Sequence, residues 1–343
     1  MDPLMEPDGP SGTRARRGSP ANMTVDAGQI SQAARTTGFD PTTLEKVLRL
    51  KELLREFYRH PFLKDRLVLK GGTAINLFLA DLPRLSVDID LNYIGQMDRE
   101  AMLKERPDLE RAIRQVVGGL KYRVQEGSNE HALLGLYLNY QNHLERNDRI
   151  EVETNFLMRI CVLPPTIRPA AKVVGEAECQ FPVLAIEELM AGKVKALVER
   201  AHPRDLYDSY HFLKSQAPYD SIMLKRIATL FASTLDHDLR TYGLDRLDEA
   251  FSDKSLRDLL YPMLRSDDRP RAAAMLSLVR PLIREIVGSM DSTSFLDAMA
   301  RGEYRPDLLF PDQPQISARI ANHPALAWKA QNTAAFLARG SAK

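Results

Sequence analysis

The segment Ser86-Val87-Asp88-Ile89-Asp90-Leu91 constrains this chain more than any other. In a β-strand alternate side chains face opposite sides. Val87, Ile89 and Leu91 therefore point into a core, while Asp88 and Asp90 share the other face. Aspartate is disfavoured in strands, and two like charges on one face repel unless a cation lies between them. A divalent metal is the simplest such cation, and Mg²⁺ takes one or two carboxylates together with substrate phosphates. The plainer alternative is the solvated face of an edge strand.

The residues just upstream favour a site. Leu67-Val68-Leu69 reads as a short strand, and Lys70-Gly71-Gly72-Thr73 as a turn that opens a helix over 74–79. Glycine lets the backbone approach a bound group closely, and a helix N-terminus presents free N–H groups to an anion. Gly71, Gly72 and Ser86 are expected to cradle phosphate, with Lys70 and Thr73 beside them. A third carboxylate from a neighbouring strand would complete a two-metal clamp. Residues 149–155 place Glu151 and Glu153 on one face, with Ile150 and Val152 on the other.

Two halves are expected around these motifs. Residues 1–23 are rich in Pro, Gly, Ser and Arg and read as a disordered tail, with Met23 a candidate start. An α/β half spans 24–180. It holds helices over 26–37 and from Asp40-Pro41 to Tyr58, the strands above, a polar helix over 98–118, and a hairpin of 133–140 with 149–157. Pro164, Pro165 and Pro169 mark a loop, and 180–184 is extended. Residues 181–343 follow as a helical half, with helices near 186–201, 204–214, 219–235, 245–260, 269–287 and 291–301. The net charge of +1 on 343 residues leaves any nucleic-acid partner to a local cluster of Arg and Lys. Cys161 and Cys179 have neither metal-knuckle spacing nor numbers for a disulfide framework, which fits a reducing cytoplasm. No apolar run reaches the ~20 residues that cross a bilayer. Arg14, Arg16 and Arg17 are followed by no apolar stretch, so no secretion signal is expected.

The helix over 186–201 carries an anomaly. Ile186, Leu189, Met190, Lys193 and Leu197 fall on one side at helical period, so Lys193 lies within an apolar stripe, while Lys195 points the other way, to solvent. A lysine there must snorkel or be paired. A nucleotide phosphate in a cleft between the two halves is a candidate partner. The next helix begins Arg204-Asp205-Leu206-Tyr207-Asp208 after His202-Pro203. Its dipole and cap account for Asp205. They account less well for Asp208, a candidate to orient Lys193 or to act as a base.

Taken together, these residues resemble the AbiEii/AbiGii family of nucleotidyltransferase toxins, which includes the MenT toxins, within the polymerase-β-like superfamily. Lys70 to Thr73 and Ser86 to Asp90 look like the family's opening motifs, and Val152 to Phe156, followed by Arg159, like its Val-Glu-x-Asn-Phe strand. Ala191 to Leu197 resembles its lysine helix, Arg204 to Asp208 its Arg-Asp-x-Tyr-Asp motif, and His323 to Lys329 its closing segment. The resemblance spans roughly residues 40–330. It implies a polymerase-β-like mixed α/β sheet followed by a helical C-terminal domain, with nucleotide bound between them. It also implies transfer of a nucleotide from an NTP with Mg²⁺ to an acceptor, the 3′ end of tRNA in characterised members, and a cognate antitoxin. Asp88 and Asp90 would hold metal, with Glu153 third because it lies in the matching strand. Lys193 would neutralise the triphosphate, Asp208 would orient or deprotonate, and Arg159 and Arg200 would contact phosphate. A protein or small-molecule acceptor, or a non-catalytic nucleotide-binding module, is the alternative.

Overall fold

The computed structural model describes residues 26–340, so the tail expected over 1–23 lies outside the described residues. Two helices come first. α1 (Ala27–Thr37) begins in a capping box between Asp26 and Gln29 and ends at Gly38 in the left-handed conformation. α2 (Pro41–Arg59) is capped by Asp40, with Pro41 in its first turn. Its apolar side, Leu44, Val47, Leu48, Leu54 and Phe57, is buried as the period requires.

β1 (Leu67–Lys70) runs directly into α3 (Gly71–Phe78), so the two glycines are the first turn of the helix rather than a turn before it. β2 (Asp88–Tyr93), α4 (Arg99–Gly119), β3 (Arg123–Glu130), β4 (Leu133–Gln141), β5 (Asn147–Asn155), β6 (Thr166–Pro169) and β7 (Gln180–Val183) follow. The strands form one mixed sheet in the order β3-β4-β5-β2-β1-β7-β6. β2 is interior, antiparallel to β1 and parallel to β5. That position removes the reading of Asp88 and Asp90 as the solvated face of an edge. Ile89 and Leu91 are fully buried while Asp88 and Asp90 are half-buried, which is the alternation the sequence carries.

Two strands were not anticipated. β3 is an edge strand whose residues are nearly all exposed, so it has no apolar alternation to read. β6 lies where the prolines suggested only a loop. It is the other edge, where Pro169 is tolerated because a missing N–H can face away from the ladder.

The helical half comprises α5 (Ile186–Arg200), α6 (Pro203–Ser215), α7 (Ser221–Ala232), α8 (Asp245–Ala250), α9 (Asp253–Leu259), α10 (Ala272–Val287), α11 (Thr293–Ala300), α12 (Pro314–Ile320) and α13 (Pro324–Gly340). The single helix expected over 245–260 is two, because Ser252 leaves the helix and caps α9. α12 and α13 were not anticipated. The boundary expected at residue 180 meets β7, which pairs with β1 inside the sheet, and one continuous apolar core runs through both halves.

A buried polar tie, set within that core, also joins the halves. Arg84, on the segment between α3 and β2, is 2% exposed. Its Nε and one terminal nitrogen each donate to the Asp208 carboxylate of α6 at 2.7 Å. Asn76 Nδ2 of α3 donates to the same carboxylate at 3.0 Å, and Lys193 Nζ of α5 stands 2.9 Å from it. The Tyr207 hydroxyl donates to Asp268 at 2.6 Å and stands 3.2 Å from the Pro83 carbonyl. Burial alone would raise the Asp208 carboxyl, but Arg84 and Lys193 beside it hold it well below the usual carboxylate range.

Removing one member of such a cluster strands the others in the interior. Asp208→Ala is expected to cost about 3–5 kcal/mol of stability, read by urea denaturation. A depressed carboxyl stabilises the fold fully above its unfolded pKa, about 3.9, and the contribution disappears as pH falls below it. The stability gap between wild type and Asp208→Ala should therefore narrow as pH is taken below about 4. A gap that is small, or constant from pH 7 to pH 3, would show that the tie does not carry this load.

Candidate active site

The junction of β1 and α3 is shaped by an acid. Gly71 has φ +75°, and a Cβ there would stand 2.2 Å from Oδ2 of Asp90. Both facts require glycine, since an L side chain is strained in that conformation and would displace the carboxylate. At Gly72 the absent side chain leaves room for the Arg84 guanidinium and the Ser86 hydroxyl, 2.7 and 2.9 Å from where a Cβ would lie. Gly72 and Ser86, expected to cradle phosphate, are thus packed against each other and Arg84. Thr73, expected beside them at the nucleotide, is buried and donates its hydroxyl to the Asp88 carbonyl at 2.5 Å. It pins α3 to β2.

Register brings the acids together. Asp88 lies opposite Glu151 and Asp90 opposite Glu153, with Asn92 opposite Asn155 two residues further along. Burial and the neighbouring Asp90 push the Asp88 carboxyl up, and Arg204 partly offsets this. Burial, then Asp90 and Glu151, push Glu153 up too. The Lys70 ammonium is 4.0 Å from Asp90. Negative charge on this face is therefore under-compensated by the protein. Among the described residues no three His, Cys, Asp or Glu side chains already stand as a metal cage. The expected three-carboxylate clamp with Glu153 is not preassembled. The donor set nevertheless fits Mg²⁺, which needs only one or two protein carboxylates and takes oxygen ligands. The space that Gly71 leaves open beside Asp90 keeps that carboxylate on the cleft side.

A cleft of about 370 Å³ opens beside these acids, lined on the sheet side by Lys70, Gly71, Asp90 and Glu153. Across it α5 presents Lys193, Lys195 and Arg200. Lys193 is paired rather than snorkelling, with Nζ 2.9 Å from Asp205 and 2.9 Å from Asp208. Burial opposes its charge, yet the two carboxylates hold the ammonium above its ordinary range. Arg200 meets the other Asp205 oxygen at 2.8 Å. Three cations, Arg84, Lys193 and Arg200, share two carboxylates, so one positive charge is left over at the cleft wall.

Several expectations change here. Asp205 is not the helix cap. His202 fills that place through its ring nitrogen, and Asp205 is the clamp that holds Lys193 and Arg200. Asp208 orients Lys193, but as a base it is closed off, since Arg84, Lys193 and Asn76 occupy its oxygens and it is buried away from the cleft. Lys195 does not point away. It borders the cleft and pairs with Glu199 at 3.1 Å. Arg159 does not line the cleft, because its guanidinium donates to the carbonyls of Met97 and Phe156 at 2.7 and 3.0 Å. Asp88 sits outside the cleft lining, next to Asp90 on the same strand face. Arg84, Glu188 and His323 were missed. Arg84 and Glu188 belong to no periodic pattern that would single them out, and His323 lay in a matched segment for which spacing suggested no role.

Comparison with known proteins agrees with this architecture. Residues 52–301 match the family model described as nucleotidyl transferase AbiEii toxin, type IV TA system. MenT4, a nucleotidyltransferase toxin from Mycobacterium tuberculosis H37Rv, is similar in structure. Its TM-score is 0.59 at 18% identity, over 87% of this chain and 98% of that one. JHP933 from Helicobacter pylori aligns over 75% of this chain and 96% of its own, at 15% identity and TM-score 0.47. At 18% identity the MenT4 likeness is one of fold. No curated protein matches the chain in sequence.

The two glycines that line the cleft differ in what a methyl group would meet. Gly71→Ala is expected to lose roughly 1–2 kcal/mol of stability through positive φ alone, before the displacement of Asp90 is added. Gly192→Ala, in mid-helix with nothing within 4 Å of its Cβ position, should instead gain about 0.5–1 kcal/mol. Thermal denaturation of both variants checks this, and equal effects would remove the argument for close packing at Gly71.

Proposed function

This chain belongs to the AbiEii family of nucleotidyl transferase toxins of toxin–antitoxin systems, and we propose that it transfers a nucleotide from an NTP to the 3′ end of tRNA in a Mg²⁺-dependent reaction. The observation that carries this reading is the facing of opposite charges across one cleft: Asp90 and Glu153 on the sheet, and Lys193 and Arg200 on α5. A binding module has no need to hold two under-compensated acids opposite a clamped lysine.

In this reading Lys193 and Arg200 receive the triphosphate. Asp205 and Asp208 fix the lysine so that no rotamer freedom is lost when it binds. Lys70 stands beside Asp90 at the same edge. Asp88 and Asp90 would hold Mg²⁺, with Glu153 within the same strand pairing. The chemistry that Mg²⁺ supplies in such a site is activation of the attacking hydroxyl and stabilisation of the leaving pyrophosphate oxygen. The acceptor hydroxyl forms a bond to the α-phosphorus as the bond to the bridging oxygen breaks and pyrophosphate leaves. With Asp208 enclosed, the cleft-facing carboxylates are the groups left to accept the hydroxyl proton. The excess positive charge on α5 stays close to the phosphates, where charge develops. The family also implies a cognate antitoxin as partner. Among the described residues no helix is long and apolar enough to cross a membrane.

The test is transfer of label from each of the four α-labelled NTPs to purified tRNA, total RNA, protein or a small-molecule acceptor, with and without a chelator. Label is expected on tRNA, retained when the tRNA is 3′-hydroxyl-ended and lost when that hydroxyl is blocked. Label on protein or a small molecule alone would overturn the acceptor, and transfer that survives chelation would overturn the metal. Asp90→Asn, isosteric and uncharged, should remain folded and lose transfer. Lys193→Met should lower kcat/KM by about 10²-fold or more. It should also be less stable than wild type, because Asp205 and Asp208 lose a shared partner. The penalty should be smaller than for Asp208→Ala, since Arg84 and Arg200 remain. Full activity in a folded Lys193→Met protein would remove the triphosphate role.

A further inference from the structure

The same cleft holds two buried ionisable side chains that transfer leaves unused. His323, just ahead of α13, is fully buried yet borders the cleft, and neither ring nitrogen has a hydrogen-bond partner among the described residues. Glu188 of α5 is equally enclosed, borders the cleft, and accepts from the Leu163 N–H at 3.2 Å. The backbone carbonyls of Ile160 and of His323 itself stand near the ring, but neither closes a well-formed hydrogen bond. Buried polar atoms are nearly always paired, so a ring left this way at a cleft wall points to something that enters and pairs with it.

Their position says what enters. The α5 residues Glu188, Gly192, Ala196 and Arg200 recur every four residues along the cleft, which therefore follows that helix for about 18 Å at 1.5 Å per residue. Arg200 lies at its last turn, Lys193 at its middle, and Glu188 in its first turn. Asp90 pairs with Glu153 and Asn92 with Asn155 beyond them, and the chain after β5 then reaches the 160–163 segment. The backbone of that segment meets Glu188 at Leu163 and lies beside His323 at Ile160. The cleft is thus ionic at one end and, at the other, lined by apolar groups such as Met158, Leu189 and Leu326 around a few polar atoms.

We infer that the Glu188–His323 end is the nucleobase subsite, where these two side chains read the edge of the incoming NTP's base. The inference rests on the reading of the cleft as an NTP site. A base has apolar faces and a polar edge, which matches this lining. Burial lowers the His323 ring to about 4, so at neutral pH it is uncharged and offers one donor and one acceptor. Burial raises the Glu188 carboxyl to about 7, against the lowering effect of the Leu163 and Val162 N–H groups. Part of the population therefore carries an O–H donor there. Neither group brings a fixed charge that would draw the triphosphate into this end.

Calorimetric binding of the four NTPs and of inorganic tripolyphosphate, in Mg²⁺, tests it with the full chain. Wild type is expected to favour its best base over its worst by about tenfold or more, since a site built to hydrogen-bond a group rejects the analogue without it. His323→Leu removes the unpaired nitrogens and should melt no lower than wild type. It should bind the four NTPs within about threefold of one another, with tripolyphosphate affinity unchanged. Glu188→Gln, which keeps shape and one acceptor, should shift the base preference rather than abolish binding. A base preference unchanged in folded His323→Leu or in folded Glu188→Gln, or a wild type that binds all four bases equally, overturns this inference alone. A wild type that binds neither NTP nor tripolyphosphate overturns the nucleotide site itself and this subsite with it.

Discussion

The Asp208 carboxylate holds the helical half in place against the sheet. It is buried, it meets Arg84 through two hydrogen bonds, and it also holds Asn76 and Lys193. Those partners come from the segment before β2, from α3 and from α5, so one carboxylate sets the spacing of three elements. A buried ion pair is weak evidence for stability, because desolvation offsets much of its attraction. Its geometric specificity is a different matter. A bidentate guanidinium–carboxylate pair tolerates little displacement, and it locates the helical half against the sheet where apolar packing alone would allow sliding.

That placement is what makes the cleft. Lys193 is held from behind by two carboxylates, so its ammonium meets the cleft in one position with its charge intact despite burial. On the opposite wall Asp90 is seated under a glycine that could not be any other residue without moving it. The two walls carry unbalanced charge of opposite sign, and a phosphate with its cation is the kind of occupant that neutralises both. Thr73, Gly72 and Ser86 serve this arrangement from inside by packing α3 onto β2 and Arg84.

Misreadings of the sequence share a cause. Asp205 looked like dipole complementation because it follows His202-Pro203, a local explanation that was sufficient on its own terms. Its partners, Lys193 and Arg200, lie on the preceding helix, and only the α5–α6 packing puts them within reach. Arg159 follows a matching strand yet turns inward to cap two carbonyls, a choice made by the loop it closes. β3 is an exposed edge whose pairing with β4 owes nothing to its own side-chain pattern.

Local period alone settles which way many of these side chains point. The alternation at Ser86 to Leu91 put Asp88 and Asp90 on one face, residues 150–153 did the same for Glu151 and Glu153, and the 3.6 period placed Lys193 on a buried stripe. The strand-to-helix joint at Gly71 and the order of the motifs were legible for the same reason. A periodic pattern says which way a side chain points, but not what it will meet. The strand register that sets Asp90 against Glu153, the pairing of Arg84 with Asp208 across 124 residues, and the arrival of His323 and Glu188 at one end of the cleft were decided only by tertiary structure. Each depends on how whole elements stack, and that is fixed by the summed packing of many residues rather than by the few that form the site.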